Sequence, residues 1–214
     1  MNRLTTLLLF GLSALLLDSC TGQKNTEAII ETSFGNITVM LYNTTPKHRD
    51  NFIKLAEAGF YDSLMFHRVI NAFMIQGGDP DSRNAGPDAR LGMGGPGYQI
   101  EAEIGAPHLR GALAAARNQN PQKMSSGSQF YLVQGQKVSD EYLDEIERSR
   151  NIRYSKEQRE LYKEIGGTPF LDNDYTVFGE IVDGFDVLEK IASVPTGPND
   201  RPKEDVRMKV RILK

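Results

Sequence analysis

The segment from Phe66 to Asp79, Phe-His-Arg-Val-Ile-Asn-Ala-Phe-Met-Ile-Gln-Gly-Gly-Asp, constrains this chain more than any other stretch of it. It reads as strand–turn–strand and carries one guanidinium (Arg68), one apolar pair (Phe73 and Met74) and one side-chain amide (Gln76). Side chains alternate along a strand, so Phe66, Arg68 and Ile70 share one face while His67 and Val69 share the other. An arginine enclosed by apolar neighbours without a partner is costly. The same arginine is well placed if that face is a groove, where its donor fork can meet a carbonyl. Two later segments repeat the mixture of apolar and amide residues: Gly127-Ser128-Gln129-Phe130-Tyr131-Leu132-Val133, and the run from Phe170 to Gly179.

A chain of 214 residues suits one domain with some excess. Its net charge of −3, from 25 basic and 28 acidic residues, provides no basic excess to follow a phosphate backbone, so nucleic acid is not expected as a partner. Hydrophobic residues at 39% with 20 glycines fit a loop-rich globular protein rather than a membrane bundle.

The N-terminus departs from that average. Arg3 precedes an apolar run from Leu7 to Leu17, too short to span a bilayer but suited to a secretory signal. The run ends in Asp18-Ser19-Cys20, which resembles a bacterial lipobox, with Asp18 an unusual occupant of the middle position. Cys20 is the sole cysteine, so no intramolecular disulfide can form. An exported protein gains little from one free thiol, whereas lipid attachment explains both its presence and its position. Residues 1–19 are therefore expected to be a signal peptide, Cys20 a lipidation site, residues 20–26 a tether and 27–214 the folded domain. That places the protein in a bacterial cell envelope, held to a membrane through its lipid.

Two strand-like runs open the domain, Ala28–Thr32 and Asn36–Tyr42, around the turn Ser33-Phe34-Gly35. Thr45-Pro46 starts a helix, with Thr45 as its cap, Phe52, Leu55 and Ala56 as its buried stripe, and Gly59 as its stop. The glycine-rich stretch Gly92–Gly97 lacks the strand-to-helix setting of a phosphate loop and reads as structural. A second helix is expected over Asp183–Ser193, and Val206, Met208, Val210 and Ile212 alternate as a final strand. Many short strands with two separated framework helices indicate a mainly β, closed antiparallel barrel. Ser139–Ile165 is the exception: charged and helical, with Tyr142, Leu143 and Ile146 on one apolar face, a Ser155/Gln158 capping box, and Leu161 and Ile165 on a second face. It reads as a helical hairpin inserted at the rim of the groove.

In this order the three segments resemble the cyclophilin family of peptidyl-prolyl cis–trans isomerases, over roughly Ala28 to Leu213. The resemblance implies an eight-stranded barrel capped by two helices, a monomer, no cofactor and no metal. It implies accelerated X–Pro isomerisation in exported, proline-containing polypeptides. By matching position, Arg68 and Gln76 would be catalytic, and Phe73, Met74, Ala116, Tyr131, Phe170, Leu171 and Tyr175 would bind substrate. On spacing alone Phe73, Met74, Tyr131 and Leu171 read as core; only the resemblance makes them a proline pocket. Phe170 stands where many members carry tryptophan, Tyr175 where many carry histidine, and Arg117 where asparagine is usual, with Asn118–Met124 lengthening the next loop. Since members hold ciclosporin partly through that indole, Phe170 implies weaker binding of it. The alternative is a cyclophilin-like binding module without turnover, docking an envelope partner; intact Arg68, Phe73, Met74 and Gln76 favour the enzyme. His67 beside Arg68 could suggest a phosphoryl-transfer nucleophile, but alternation sends it to the other side of the strand. His48, His67 and His108 are too scattered to suggest a metal site.

Overall fold

The computed structural model describes residues 25–213. The expected signal peptide, Cys20 and most of the tether lie outside the described residues. Eleven strands and four helices follow in order: β1 (Thr26–Thr32), β2 (Gly35–Leu41), α1 (Pro46–Glu57), β3 (Leu64–Met65), β4 (Arg68–Ile70), β5 (Met74–Gly77), β6 (Gln99–Ile100), β7 (Ala112–Ala115), β8 (Ser125–Ser126), β9 (Phe130–Val133), α2 (Asp140–Arg150), α3 (Lys156–Glu164), β10 (Val177–Asp183), α4 (Phe185–Ala192) and β11 (Arg207–Ile212).

Nine of these strands form one antiparallel sheet in the order β3-β11-β1-β2-β10-β7-β9-β5-β4, while β6 and β8 pair separately. This corrects the closed eight-stranded barrel: the sheet has nine strands and stays open between β3 and β4. The physical reason lies in the chain itself. Only Phe66 and His67 separate β3 from β4, with no turn between them. The two edges are therefore successive stretches of one run, and a run that does not reverse cannot pair with itself.

Period-2 alternation gives the sheet two apolar faces. Ile30, Ile37, Val39, Leu41, Val69, Ile75, Leu113, Phe130, Leu132 and Phe178 point inward with α1 and α4 into the main core. The opposite residues of the same strands, Met74, Ala112, Ala114, Tyr131, Val133 and Val177, build a smaller second cluster. Strands β7 and β9 are consequently buried on both faces and read as continuous apolar runs. Phe52 of α1 locks into the main core through aromatic contacts with Tyr61, Phe130 and Phe178.

Helix starts differ in detail from expectation. Thr45 holds the cap position of α1, but its hydroxyl donates to the Tyr42 carbonyl at 3.3 Å instead of capping the helix. α4 begins at Phe185, after Gly184 takes a left-handed turn (φ 91°) that brings its Cα against the β2 backbone, where a Cβ would collide with Asn36 O. In the helical pair, Ser155 and Gln158 complete a reciprocal capping box. The buried face of α3 is not the expected one. Leu161 and Ile165 are 39% and 42% exposed, and Tyr162 between them is fully buried. The reason is a polar anchor, since the Tyr162 hydroxyl donates to Asp172 at 2.6 Å and turns that side of the helix inward. Among the described residues no helix is long and apolar enough to cross a membrane.

Candidate active site

The second apolar cluster is the floor on which the candidate site sits. Strand register places Arg68 opposite Gln76, Gln76 opposite Tyr131, Tyr131 opposite Ala114 and Ala114 opposite Val177. One row of side chains thus crosses five strands on one face, each in reach of the next. A second row, Ile70–Met74–Val133, lies alongside. The alanines of β7 keep this face low enough for a groove.

Every sequence-predicted site residue within the described range reaches this face or its rim. Met74 and Tyr131 are buried in the floor, Ala116 closes its end, and Phe73, Leu171 and Tyr175 pack half-buried against it. Phe170 is 38% exposed at the rim, its ring 5.4 Å from that of Phe73. Arg68 is half-exposed, with Nε donating to Asp200 Oδ2 at 3.4 Å. Gln76 donates from Nε2 to Gln129 Oε1 at 3.0 Å, and buried Gln129 donates onward to the Gly94 carbonyl at 2.8 Å. A cavity of about 1390 Å³ is lined by Arg68, Gln76, Arg117 and the 197–205 loop, and a second of about 390 Å³ by Gln76, Ala116 and Gln129. The two cavities meet at Gln76 and Arg117, and neither is lined by Phe73, Met74, Tyr131 or Leu171.

Arg117 roofs one side of that floor. Its guanidinium sits 4.7 Å from the Tyr175 ring centre, a cation–π distance, while its Nε donates to the Asp174 carbonyl at 2.7 Å. Beneath, Tyr131 stacks on His108 at 6.1 Å and meets Tyr175 edge-on at 6.0 Å. The Tyr131 hydroxyl lies 3.0 Å from His108 Nε2, and His108 Nδ1 lies 2.8 Å from Asp172 Oδ1. Burial, with Tyr175 and Asp172 nearby, pushes the Tyr131 phenol well above its ordinary value, so it remains a donor. Asp200, Gln129, His108 and Asp172 are the contributors that motif matching missed. Asp172 was within reach, as an acid inside the third segment, but nothing in the spacing ties it to His108.

His67 requires a correction. It borders the same cavity as Arg68 rather than facing away, because strand alternation starts only at Arg68 and His67 lies in the link before it. It is buried, and neither ring nitrogen meets a side-chain partner among the described residues. Burial, the largest influence, holds its pKa below the ordinary value despite Asp79, and keeps the ring neutral.

One further arrangement has the outline of a hydrolase. His48 Nδ1 lies 2.7 Å from Glu103 Oε2 and its Nε2 lies 3.0 Å from Ser125 Oγ. Ser125 is 1% exposed, and the void lined by His48 holds only about 10 Å³. No acyl group can reach that serine, so this line pins α1 to β8. Among the described residues no three histidine, cysteine or acidic side chains group as metal ligands.

Comparison with known proteins agrees with the fold. The family model for cyclophilin type peptidyl-prolyl cis-trans isomerases matches residues 28–211. A Staphylococcus aureus (strain USA300) protein named as a peptidyl-prolyl cis-trans isomerase is 39% identical over 185 residues, covering 86% of this chain and 89% of that protein. A Streptococcus pyogenes serotype M6 protein named as a bifunctional phosphatase/peptidyl-prolyl cis-trans isomerase is 42% identical over 203 residues, 89% of this chain and 38% of the longer protein. Among solved structures, a Cryptosporidium parvum cyclophilin type isomerase aligns with TM-score 0.64 at 24% identity, over 89% of this chain and 98% of its own. The same Cryptosporidium protein in the presence of the dipeptide Ala-Pro aligns with TM-score 0.63, over 88% and 99%.

Proposed function

As this chain belongs to the cyclophilin-type family and is a peptidyl-prolyl cis–trans isomerase, we propose that X–Pro bonds are turned on the face crossed by Arg68, Gln76 and Tyr131. The observation that carries this reading is the in-register row of those side chains beside Met74 and Phe73. Amide resonance sets a rotation barrier of about 18–20 kcal/mol, and an unaided X–Pro bond takes about tens to hundreds of seconds to turn. Five decades of acceleration require about 7 kcal/mol of barrier reduction. No bond breaks, so a surface that favours the twisted amide is sufficient.

In the twisted amide the prolyl nitrogen becomes pyramidal and gains a lone pair. Arg68 donates to that region and to the proline carbonyl through its Nη groups, with Nε engaged by Asp200. Phe73, Met74, Tyr131 and Leu171 hold the proline ring, with Phe170 and Tyr175 as aromatic edges. Gln76, anchored through Gln129, pairs with the backbone of an extended peptide beside Ala116. The Cryptosporidium structure determined in the presence of Ala-Pro supports a proline-containing ligand for this fold. Titrating an Ala-Pro peptide into the labelled protein is expected to shift amide signals of 68–76, 113–117, 129–132 and 170–175. Shifts confined to the surface around Ser33, Phe34, Val194 and Pro195 would contradict the assignment.

We further read the protein as an envelope foldase, acting as a monomer on exported polypeptides and held to a membrane through lipid on Cys20. The apolar run Leu7–Leu17 and the Leu17/Ser19/Cys20 spacing support this. Cys20→Ser is expected to move the protein from the membrane fraction to the soluble one or leave its leader uncleaved. An unlipidated, freely soluble wild type would contradict it.

A further inference from the structure

Behind the apolar floor runs a buried polar chain that isomerisation chemistry does not call for. The Asp172 carboxylate accepts at Oδ1 from the His108 backbone N–H and lies 2.8 Å from His108 Nδ1. At Oδ2 it accepts from Tyr154 at 2.9 Å and from Tyr162 at 2.6 Å. Both tyrosines belong to the helical pair: Tyr162 lies in α3, and Tyr154 in the link before it, their rings 5.5 Å apart. A carboxylate only accepts, so His108 donates from Nδ1, and the tautomer that carries its single proton there presents Nε2 as an acceptor. In that tautomer the Tyr131 hydroxyl, 3.0 Å away, donates to it. Tyr154 has a second acceptor in the Pro169 carbonyl at 3.2 Å, so the line from the helical pair to the floor runs Tyr162–Asp172–His108–Tyr131.

We propose that Asp172 and His108 are positioning residues that set Tyr131, and that Tyr154 and Tyr162 extend this chain to make the helical pair a structural part of the proline pocket. The inference rests on the pocket reading above. Its consequence is geometric. With the hydroxyl committed to His108, Tyr131 offers the groove carbon only, and its ring angle is fixed by the stack on His108. The same carboxylate holds the chain directly after Phe170 and Leu171, and Arg150 of α2 reinforces it by donating to the Asp172 carbonyl at 3.0 Å. Burial and the Asp172 charge raise the Tyr154 and Tyr162 phenols, so both stay donors across the working pH range. The anchors therefore reach the floor from beneath and its rim from one side, and touch none of the atoms that rotate.

Such a role belongs to ground-state and transition-state binding alike, and appears in KM rather than kcat. The test measures kcat and KM on a short X–Pro peptide for Tyr162→Phe, and for the milder Tyr154→Phe, each in the Tyr131 and Tyr131→Phe backgrounds. Tyr162→Phe is expected to raise KM about fivefold with kcat within about twofold, as loss of one hydrogen bond to a buried charge implies. In the Tyr131→Phe background the same change should add almost nothing, because the acceptor chain already ends short of the floor. A fall in Tm with KM unchanged in both tyrosine variants would overturn the proposal, and so would a full fivefold loss repeated in the Tyr131→Phe background. Phe73→Ala serves as the reference. If it raises KM while the tyrosine variants do not, the relay fails alone; if it leaves KM unchanged, the pocket reading fails and takes the relay with it.

Discussion

Phe170 sits at the rim, tilted against Phe73 and 38% exposed, so a larger ring there need not enter the core. Phe170→Trp is accordingly expected to fold normally and to bind ciclosporin about tenfold tighter, the value of one added indole hydrogen bond of ~1.4 kcal/mol. Equal affinity before and after, measured by calorimetry, would show that residue 170 does not border the ligand. Arg117 replaces a small amide with a guanidinium that covers Tyr175. The two departures thus act differently, one removing a donor and the other adding a roof over Tyr175. Arg68 differs from both. Its neighbour Asp200 lies in a left-handed turn with Asn199, and both residues adopt positive φ (58° and 60°) without being glycine. That turn brings a carboxylate to 3.4 Å from Nε, and no motif at residue 68 announces it.

Between strands, the register does what single residues cannot. Arg68, Gln76 and Tyr131 are separated by up to 63 positions in sequence yet occupy one row. Their type and motif were legible from the chain, as were the capping box at Ser155 and the helical character of 139–165. The open edge between β3 and β4 was not, because two- and three-residue strands leave almost no alternation to read. Nor was the anchoring face of α3. Apolar spacing favoured Leu161 and Ile165, whereas a tyrosine–carboxylate bond to a residue ten positions away fixed the rotation. Periodicity measures hydrophobicity and is blind to a long-range polar pair of this kind. The Asp172 anchors tie the helical pair, which the sequence places only at the rim of the groove, to the floor itself. Gln136 and Gly167 pair across the base of the segment, so a short Gly/Ser link can replace Ser139–Ile165 without stretching the chain. That replacement is expected to raise KM for a short X–Pro peptide at least as much as Tyr162→Phe. An unchanged KM would make the pair dispensable to the pocket.

At the scale of the whole molecule, two buried neutral histidines tie stability to pH. Burial is the largest influence on both His48 and His67 and lowers each pKa below the ordinary 6.5. The unfolded chain therefore takes up protons first as pH falls, so stability is full above about pH 6.5 and declines below it, toward the folded pKa values. Thermal unfolding is expected at a lower temperature at pH 5.5 than at pH 7.5, with a shallower pH slope in His67→Gln; an unaltered slope would mean His67 is not held neutral. The same architecture that buries these rings also leaves one groove face open, and the central claim is that this face turns X–Pro bonds through Arg68. Arg68 is half-exposed and fills no core cavity, so Arg68→Ala is expected to keep its Tm within about 2 °C, as for other surface substitutions. The decisive measurement is kcat/KM on a short X–Pro peptide for wild type and Arg68→Ala, by exchange spectroscopy on folded protein. Loss of a charge-assisted bond made mainly to the twisted amide predicts a drop of about 100-fold or more, carried mostly by kcat. A folded Arg68→Ala protein turning the peptide over at near wild-type rate would contradict the mechanism.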